Sequence, residues 1–380
     1  GEIYYSGKYI ARDINKAIHY FSLAANQNHP DSQVNLGAIY YSGEYIARDI
    51  NKAIHYFTLA ANQNHRIAQY YLGIIYKNGK YIARDIKKSI HYLSLAADQN
   101  YIKAQKSLGF IYIDNQLVNR DVNKSIHYFS LAADQNEPIS QFNLGLLYEK
   151  NEYVPRDINK SIQYFSAAAN QNVQMAQINL GLIYYLGKYI TPDINKSIYY
   201  FTLAANQNNR EAQCNLGGIY YSGKYISRDI NKAIHYFTLA ANQNEPNAQF
   251  NLGIIYEKGE YITKDINKSI YYLSHAANQN HPEARYHLGV IYYFGVYFPR
   301  NINKAINYFI LAADQNHPKA QFHLGLIYHL GEYITQDINK AIYYYTLAAE
   351  QNHSDAQFNL GVIYSSDKYG VKDMEKSIHY

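Results

Sequence analysis

The sequence contains no tryptophan, one cysteine among 380 residues, and only 17% charged residues. A single cysteine, Cys214, cannot form an intramolecular disulfide, so a scaffold held together by disulfides is excluded. The cysteine count does not determine the cellular compartment, although it favours the cytosol. No apolar run reaches the ~18 residues of a membrane-spanning helix, so we expect no direct membrane insertion in this segment. A net charge of +5 over this length does not indicate nucleic acid, and we expect none as a partner.

The sequence instead repeats one unit at a period of 36 residues, without insertion or deletion. The dipeptide Leu-Gly marks the register, from Leu36 in the first full copy to Leu360 in the last. Gly1 enters part-way through a copy and Tyr380 leaves part-way through another. We therefore predict a single repeat array over residues 1–380, about ten copies truncated at both ends, from a longer protein.

The second half of each copy has the periodicity of an amphipathic helix. In the second copy its apolar stripe comprises Ile50, Ala53, Ile54, Phe57, Ala60 and Ala61. Asp49 stands at the predicted N-cap, and all eleven copies hold Asp or Asn there, which can accept a hydrogen bond from a free helix N–H. After the helix, Asn64 and its counterparts tolerate the left-handed conformation common at helix C-termini.

The first half of each copy predicts a shorter helix, roughly His29 to Tyr41, with a glycine inside it such as Gly73 in the next copy. Glycine costs about 1 kcal/mol in a helix relative to alanine, so its return indicates that another helix crosses closely there. The turn between the helices has one position with Gly, Asn or Asp, which is why we expect positive φ in every copy. That position comprises Gly7, Gly43, Gly79, Asn115, Asn151, Gly187, Gly223, Gly259, Gly295, Gly331 and Asp367.

Two helices per copy cannot bury their apolar faces alone, but stacked copies can. The run AQFNLGIIYEKGEYITKDINKSIYYLSHAANQN, residues 248–280, resembles the Sel1-like repeat, a relative of the tetratricopeptide repeat. The resemblance implies an all-α fold, a right-handed superhelical α-solenoid of antiparallel helix pairs. It also implies a non-enzymatic scaffold or adaptor that binds protein or peptide and needs no cofactor. The chain departs from the family at Asn64, where Gly is usual, and lacks the paired cysteines of the family's secreted branch.

The resemblance to tetratricopeptide arrays places the first helix along a concave groove. The expected groove positions are 31, 34, 35, 38, 41 and 42 of the first full copy, and they differ between copies while the packing positions do not. Position 35 holds asparagine in six copies: Asn35, Asn143, Asn179, Asn215, Asn251 and Asn359. A row of amides suits the backbone of an extended peptide, although local bonds within the fold are an open alternative.

The copies near Ala284 and Ala320 break the repeat together. Arg285 replaces a glutamine, His287 and His323 replace asparagine, and Tyr286 and Phe322 add aromatic faces. Tyrosine and arginine are enriched in binding hot spots, so we predict that these side chains converge on one partner-binding stretch.

Three other patterns are weaker. Lys77 and Lys106 resemble the groove lysines of a carboxylate-clamp co-chaperone but are scattered, and residues 365–368 match the S-x-x-K of β-lactamase-like hydrolases without its partner motifs. No histidine pair has metal-ligand spacing on a helix, so we expect no metal site and no catalytic residue. A lysine such as Lys52 in every copy suggests a basic ridge, although Asp49 and its counterparts cancel part of that charge.

Overall fold

The computed structural model describes residues 1–8, 10–296 and 299–380, and none of these residues lies in a β-strand. The α-helices are α1 (Glu2–Ser6), α2 (Ile14–Ala25), α3 (Pro30–Ser42), α4 (Ile50–Asn62), α5 (Arg66–Asn78), α6 (Ile86–Asp98), α7 (Ile102–Ile113), α8 (Val122–Asp134), α9 (Pro138–Glu149), α10 (Ile158–Asn170), α11 (Gln174–Leu186), α12 (Ile194–Asn206), α13 (Arg210–Ser222), α14 (Ile230–Ala241), α15 (Pro246–Lys258), α16 (Ile266–Asn278), α17 (Pro282–Phe294), α18 (Ile302–Ala313), α19 (Pro318–Leu330), α20 (Ile338–Ala349), α21 (Ser354–Ser365) and α22 (Met374–His379), with a 3₁₀ turn at Asp367–Tyr369. Odd-numbered helices are the first helices of their copies and even-numbered helices the second. The predicted all-α fold of helix pairs is confirmed.

The chain divides into two compact units. Unit 1 comprises residues 1–183 and 188–191, and unit 2 comprises residues 184–187 and 192–380. Within each unit a first helix packs against the second helix of its own copy, as α5 does against α6, and against the second helix of the copy before it, as α5 does against α4. The extent of the array as a single domain remains a prediction.

The predicted helix caps are confirmed. Asp49 Oδ1 accepts a hydrogen bond from the Lys52 backbone N–H at 3.0 Å, and the corresponding Asp or Asn does the same in the other copies, including Asn301. Asn64, after the second helix, has φ 62°, and the counterpart asparagine of each copy also has positive φ. The second helix of each full copy thus begins at a side-chain cap and is followed by a left-handed asparagine, both supplied by the repeat itself.

The glycine inside the first helix marks a close helix crossing, as its recurrence predicts. A Cβ built on Gly37 would lie 2.7 Å from the ring of Phe57, which is fully buried on the second helix. In the next copy a Cβ on Gly73 would lie 2.5 Å from Leu93. The two helices of a copy therefore meet at a distance that only glycine allows.

Two expectations about the first helix and its turn are wrong. The first helix is as long as the second: α3 and α4 each contain 13 residues, and α3 begins and ends one residue later than predicted. Asn115, Asn151 and Asp367 do not have positive φ, whereas the glycines of the series do. Where glycine is absent the first helix ends one residue earlier, on an extended cap such as Lys150 with φ −83°, so no residue bears the left-handed strain.

Tyrosines and lysines stabilise the outer side of each helix pair. In the second copy the rings of Tyr40 and Tyr56 stack with centroids 6.0 Å apart, and Lys52 Nζ lies 5.1 Å from the Tyr40 centroid. The same ammonium lies 3.6 Å from Asp49 Oδ2. The arrangement recurs along the chain, so the lysine series takes part in cation–π and ion-pair contacts within each copy.

A row of buried glutamines joins successive copies. Gln69 is buried, its Nε2 donates to Asn64 Oδ1 at 3.0 Å, and its Oε1 accepts from Gln99 Nε2 at 2.8 Å. The glutamine at the same position in other copies donates to a backbone carbonyl at the end of the preceding helix, as Gln213 does to Ala205 at 3.4 Å. This network was not foreseen, although a glutamine recurring in an apolar face was its signal. Each of these backbone bonds is a second hydrogen bond to its carbonyl, since Ala205 O, for example, also accepts from the Asn208 backbone N–H at 2.9 Å.

Candidate binding face on the first helices

A pocket of about 210 Å³ opens on the first helices of unit 2. We call it the Gly218 pocket, and it is lined by Tyr185, Phe201, Cys214, Asn215, Gly218, Ile219, Phe237 and Asn251. Tyr185, Cys214, Asn215, Gly218 and Asn251 occupy positions 41, 34, 35, 38 and 35 of their copies, all among the expected groove positions. The floor is apolar, and two asparagine amides stand at the rim.

Small side chains create the Gly218 pocket. A Cβ built on Gly218 would have no atom within 4 Å, whereas other copies hold Ala38, Ile74 or Leu182 at the same position. Cys214 occupies a position that is aromatic in several copies, such as Phe250. Two substitutions in one copy thus remove the side-chain volume that fills this space elsewhere.

The turn next to Tyr185 lacks an arginine contact that several other copies have. In other copies an arginine reaches the tyrosine of the next turn, as Arg48 Nη1 does by donating to the Tyr81 hydroxyl. The arginine position before Tyr225 holds Pro192, which has no donor. Tyr225 packs edge-on against Tyr185 with centroids 5.8 Å apart, as Tyr45 packs on Tyr5 where the arginine contact is also present.

Burial makes Cys214 a poor nucleophile. It is part-buried in the pocket wall, and burial raises the pKa of its thiol to about 12, with the charges of Glu245 and Glu211 acting in the same direction. The thiolate is the reactive form, so Cys214 serves here as a small apolar residue rather than a catalytic one.

A second pocket, of about 200 Å³, opens on the first helices of unit 1. We call it the Leu147 pocket, and it is lined by Ile113, Phe129, Asn143, Leu146, Leu147, Lys150, Glu152 and Tyr153. It lies beside the turn that lacks the left-handed glycine, where Asn151 Oδ1 accepts from the Arg156 backbone N–H at 3.2 Å. Asn143 lines this pocket from position 35. Each of the two pockets is therefore lined by at least one asparagine of the position-35 series.

Two asparagines of the series make local bonds within their own helices. Asn143 Nδ2 donates to the Ile139 carbonyl at 2.7 Å, and Asn251 Nδ2 donates to the Asn247 carbonyl at 2.8 Å. Asn179 and Asn359 are likewise half-buried on their first helices. One amide bond of this kind leaves the rest of the amide's hydrogen-bonding capacity for other partners.

Four of the five residues of the predicted hot spot come together in the structure. The ring of Tyr286 lies 5.6 Å from that of His323, which lies 5.6 Å from Phe322, and His287 adjoins Tyr286 at 5.7 Å. All four side chains are half-buried. Tyr286 also stacks on His317, with centroids 4.7 Å apart, so part of its ring face is covered.

Polar contacts fix the two histidines of this cluster. His287 Nδ1 lies 3.3 Å from Glu257 Oε2, and His323 Nδ1 lies 2.8 Å from the Lys319 carbonyl. Burial lowers the pKa of His323, which favours the neutral ring that donates to that carbonyl.

Arg285 points away from the cluster and completes the glutamine row. Its Nε donates to the Ala277 carbonyl at 3.2 Å and its Nη1 to the Leu311 carbonyl at 3.0 Å. Its Nη2 donates to Asn280 Oδ1. These are the helix-end acceptors that a glutamine serves in other copies.

The remaining sequence patterns find structural partners. Lys106 Nζ lies 2.8 Å from Glu137 Oε1, and the Ser365 hydroxyl donates to the Val362 carbonyl at 3.0 Å rather than to a base. Over residues 1–8, 10–296 and 299–380 no cluster of His, Cys, Asp and Glu is arranged to hold a metal ion. No helix in those ranges is both long and apolar enough to cross a membrane.

Comparison with known proteins identifies the repeat. The sequence model of the Sel1 repeat matches eleven consecutive stretches: residues 1–29, 30–65, 66–101, 102–137, 138–173, 174–209, 210–245, 246–281, 282–317, 318–353 and 354–380. The chain belongs to the Sel1 repeat family. Sel1 repeat proteins generally act as protein–protein interaction scaffolds and are typically non-enzymatic.

Two solved structures are similar to this Sel1 chain. A protective antigen of uropathogenic Escherichia coli with an SLR fold is 30% identical, with a TM-score of 0.82 over 99% of this chain and 80% of that one. A Sel1 repeat protein from Oxalobacter formigenes is also 30% identical, with a TM-score of 0.72 over 82% of this chain and 90% of that one. A search of curated proteins finds no match.

Proposed function

We propose that this Sel1 chain is an interaction scaffold that holds an extended segment of a partner protein on its first helices. The supporting observation is that each pocket is lined in part by first-helix positions that vary between copies, such as those of Cys214, Gly218 and Leu146. The residues that pack the copies together, such as Leu216 and Gly217 of the Leu-Gly pair, stay constant. A scaffold needs constant packing and a surface that differs along its length.

The Gly218 pocket is the main anchor of the proposed site. Its volume of about 210 Å³ exceeds the ~150 Å³ cavity that admits benzene, so it accommodates a leucine- or phenylalanine-sized side chain. Asn215 and Asn251 at its rim offer amide groups to the backbone on either side of that side chain. An apolar anchor within a ring of polar contacts is the usual anatomy of a peptide site.

The aromatic cluster of α17 and α19 extends the proposed site. The rings of these four residues, Tyr286, His287, Phe322 and His323, are half-buried and occupy positions 34 and 35 of their copies. Asn179 and Asn359 occupy position 35 of other copies. Arg285 contributes to this stretch through the fold, by bonding the ends of α16 and α18, which pack against α17.

Peptide selection tests the proposal without knowledge of the natural partner. The intact chain is immobilised and selected against a displayed library of random ~12-residue peptides, long enough to cross several first helices in extended form. Enriched peptides are then measured against Gly218→Leu, which fills the pocket with the residue found at position 182. His235→Leu, an equally apolar change at an exposed second-helix position, is the matched control.

We expect the enriched peptides to carry an apolar residue and to bind Gly218→Leu at least about tenfold more weakly, with His235→Leu unchanged. Peptides that bind both variants equally well would contradict the Gly218 pocket as anchor. Failure of the intact chain to enrich any peptide would contradict the proposed function itself.

A further inference from the structure

We propose that a polar pocket beside the second helix α16 of unit 2 binds a neutral sugar ring. The pocket has a volume of about 190 Å³ and lies where the end of α14, the start of α15 and the side of α16 meet. We call it the His275 pocket, and its polar lining comprises Asn242, Asn244, Gln249, Tyr271, Tyr272 and His275. None of these residues lines the Gly218 or the Leu147 pocket, so the inference is independent of the proposed function.

Two residues of α16 distinguish the His275 pocket from its counterparts in other copies. His275 occupies a position that is leucine in eight copies. Tyr271, one helical turn earlier on the same face, occupies a position that is histidine in six copies, such as His235. Only α16 carries both in the sequence, because Tyr199 and Tyr343 are each followed four residues later by leucine. The lining of this pocket is therefore particular to one copy.

A buried amide with a spare donor hydrogen forms the floor of the pocket. Gln249 is only 3% exposed, and its Nε2 donates to the Ala241 carbonyl at 3.3 Å. One copy earlier, Gln213 makes the matching bond and also donates from Nε2 to Asn208 Oδ1 at 3.4 Å. Gln249 makes no such bond to Asn244, so in the described part of unit 2 one hydrogen of its amide has no acceptor. A ligand oxygen in the pocket would accept it, which removes the cost of a buried donor without a partner.

The rim adds hydrogen-bonding groups that the fold does not use. Asn242 and Asn244 are exposed, and neither side-chain amide has a hydrogen-bond partner among the described residues of unit 2. The His275 ring makes an edge contact with Tyr271 at 4.6 Å between centroids, which leaves its two nitrogens available. Amides and a neutral imidazole each offer both donor and acceptor. A sugar hydroxyl is likewise donor and acceptor, so it pairs with such groups and leaves neither side unsatisfied.

The charge of the lining favours a neutral ligand. Among the described residues that line the His275 pocket there is no Asp, Glu, Lys or Arg. A phosphate or carboxylate ligand would lose hydration here and gain no opposite charge in return. This difference favours a neutral sugar over a nucleotide or an acidic sugar.

Tyr271 supplies the apolar face that a sugar ring needs. Its ring is 58% exposed and stands edge-on to Tyr272, with centroids 5.1 Å apart. Tyr272 is itself stacked on Tyr256 at 6.0 Å, so the base of this wall belongs to the fold. The C–H face of a pyranose ring would pack on Tyr271 while its hydroxyls reach the amides, an apolar wall with a few polar groups that fix orientation. The volume exceeds the ~150 Å³ cavity that admits benzene, so a six-membered ring fits.

Saturation-transfer NMR on the intact chain tests the inference with simple probes. The probes are glucose, galactose, mannose and N-acetylglucosamine, each as the free sugar and as its methyl glycoside. The glycoside blocks the anomeric hydroxyl in the way that a glycan does, so the pair distinguishes a free sugar from the end of a glycan. Glucuronate and adenosine are the comparators, one a charged sugar and the other a neutral nucleoside.

Two variants replace pocket residues by those that other copies use. Tyr271→His reproduces His235, and His275→Leu reproduces Leu239, so each residue already occurs at its position in the repeat. Tyr343→His is the matched control, because it makes the first change at an equally exposed tyrosine on α20. Far-UV circular dichroism verifies that each variant keeps its helices.

We expect at least one neutral sugar to saturate the intact chain with a Kd of about 1–10 mM, the range for a ligand of ~12 heavy atoms. Tyr271→His and His275→Leu should each weaken this binding at least about fivefold, and Tyr343→His should leave it unchanged. Tighter binding of the methyl glycoside would assign the pocket to a glycan, and tighter binding of the free sugar would assign it to a monosaccharide.

Three results would overturn the inference. The first is the absence of saturable binding for every neutral sugar. The second is unchanged affinity in either pocket variant, and the third is tighter binding of glucuronate or adenosine than of any neutral sugar.

Discussion

The ring of Phe237 lies directly over Gly217: a Cβ built on residue 217 would come within 2.6 Å of the ring. The next residue, Gly218, has nothing within 4 Å of the same added atom. Two adjacent glycines of one helix therefore have different roles, since one permits a helix crossing and the other leaves a pocket.

Alanine substitutions at these two glycines should have opposite effects. Gly217→Ala should lower the free energy of unfolding by roughly 1–3 kcal/mol, because the buried Phe237 ring cannot yield to the added methyl group. Gly218→Ala should raise it by up to about 1 kcal/mol through helix propensity alone. Urea unfolding of both variants checks this, and equal midpoints would contradict the close crossing.

Removal of an N-cap should weaken one helix pair. Asp49→Ala should cost about 0.5–2 kcal/mol, because the Lys52 N–H loses its acceptor. Asp49→Asn, which reproduces the cap that Asn301 provides, should cost only a few tenths. Native-state hydrogen exchange of α4 measures the change, and unaltered protection in Asp49→Ala would exclude the cap as a source of stability.

Arg285 should be replaceable by the residue of the other copies. Arg285→Gln should keep the free energy of unfolding within about 0.5 kcal/mol of the wild type, because glutamine serves the same helix-end carbonyls. Arg285→Ala should cost about 1–3 kcal/mol, since it removes all three hydrogen bonds of the guanidinium and leaves the Ala277 carbonyl only its bond from the Asn280 N–H. A stable Arg285→Gln that no longer binds the selected peptides would instead assign Arg285 a direct contact with the partner.

Glu149 should destabilise the free chain near neutral pH. Burial raises the pKa of its carboxyl in the folded state, so the stability that it contributes is present below the unfolded pKa and is lost as pH rises through the folded pKa. Glu149→Gln should therefore be more stable than the wild type near pH 7, and the difference should disappear on acidification below the unfolded pKa. Urea midpoints across this range provide the measurement, and a difference independent of pH would contradict the burial of the charge.

The fold was predictable because each of its local determinants repeats. Asp49 at the cap, Asn64 at the helix end and Gly37 at the crossing each obey a rule of backbone physics that acts within a few residues. The turn at Asn151 was mispredicted because tolerance of positive φ is a permission and not a requirement. At that turn the helix ends one residue earlier, so Asn151 does not need to adopt positive φ.

The candidate site was less predictable because it depends on contacts between copies. The asparagine series marked positions that line the Gly218 pocket, but the volume of that pocket follows from the loss of side chains at two positions together. Arg285 resembled a hot-spot residue in sequence, and only the positions of the Ala277 and Leu311 carbonyls show where its donors go.

Alkylation of Cys214 tests the central claim most directly, because the one cysteine of the chain lies in the wall of the Gly218 pocket. The rate of modification by N-ethylmaleimide is measured on the intact chain, alone and saturated with a peptide enriched on it. The high pKa of the thiol makes the reaction slow and easily followed by mass spectrometry. If an extended segment occupies this face with a side chain in the pocket, the bound peptide should slow alkylation by at least about tenfold. An unchanged rate with the peptide bound would contradict the account.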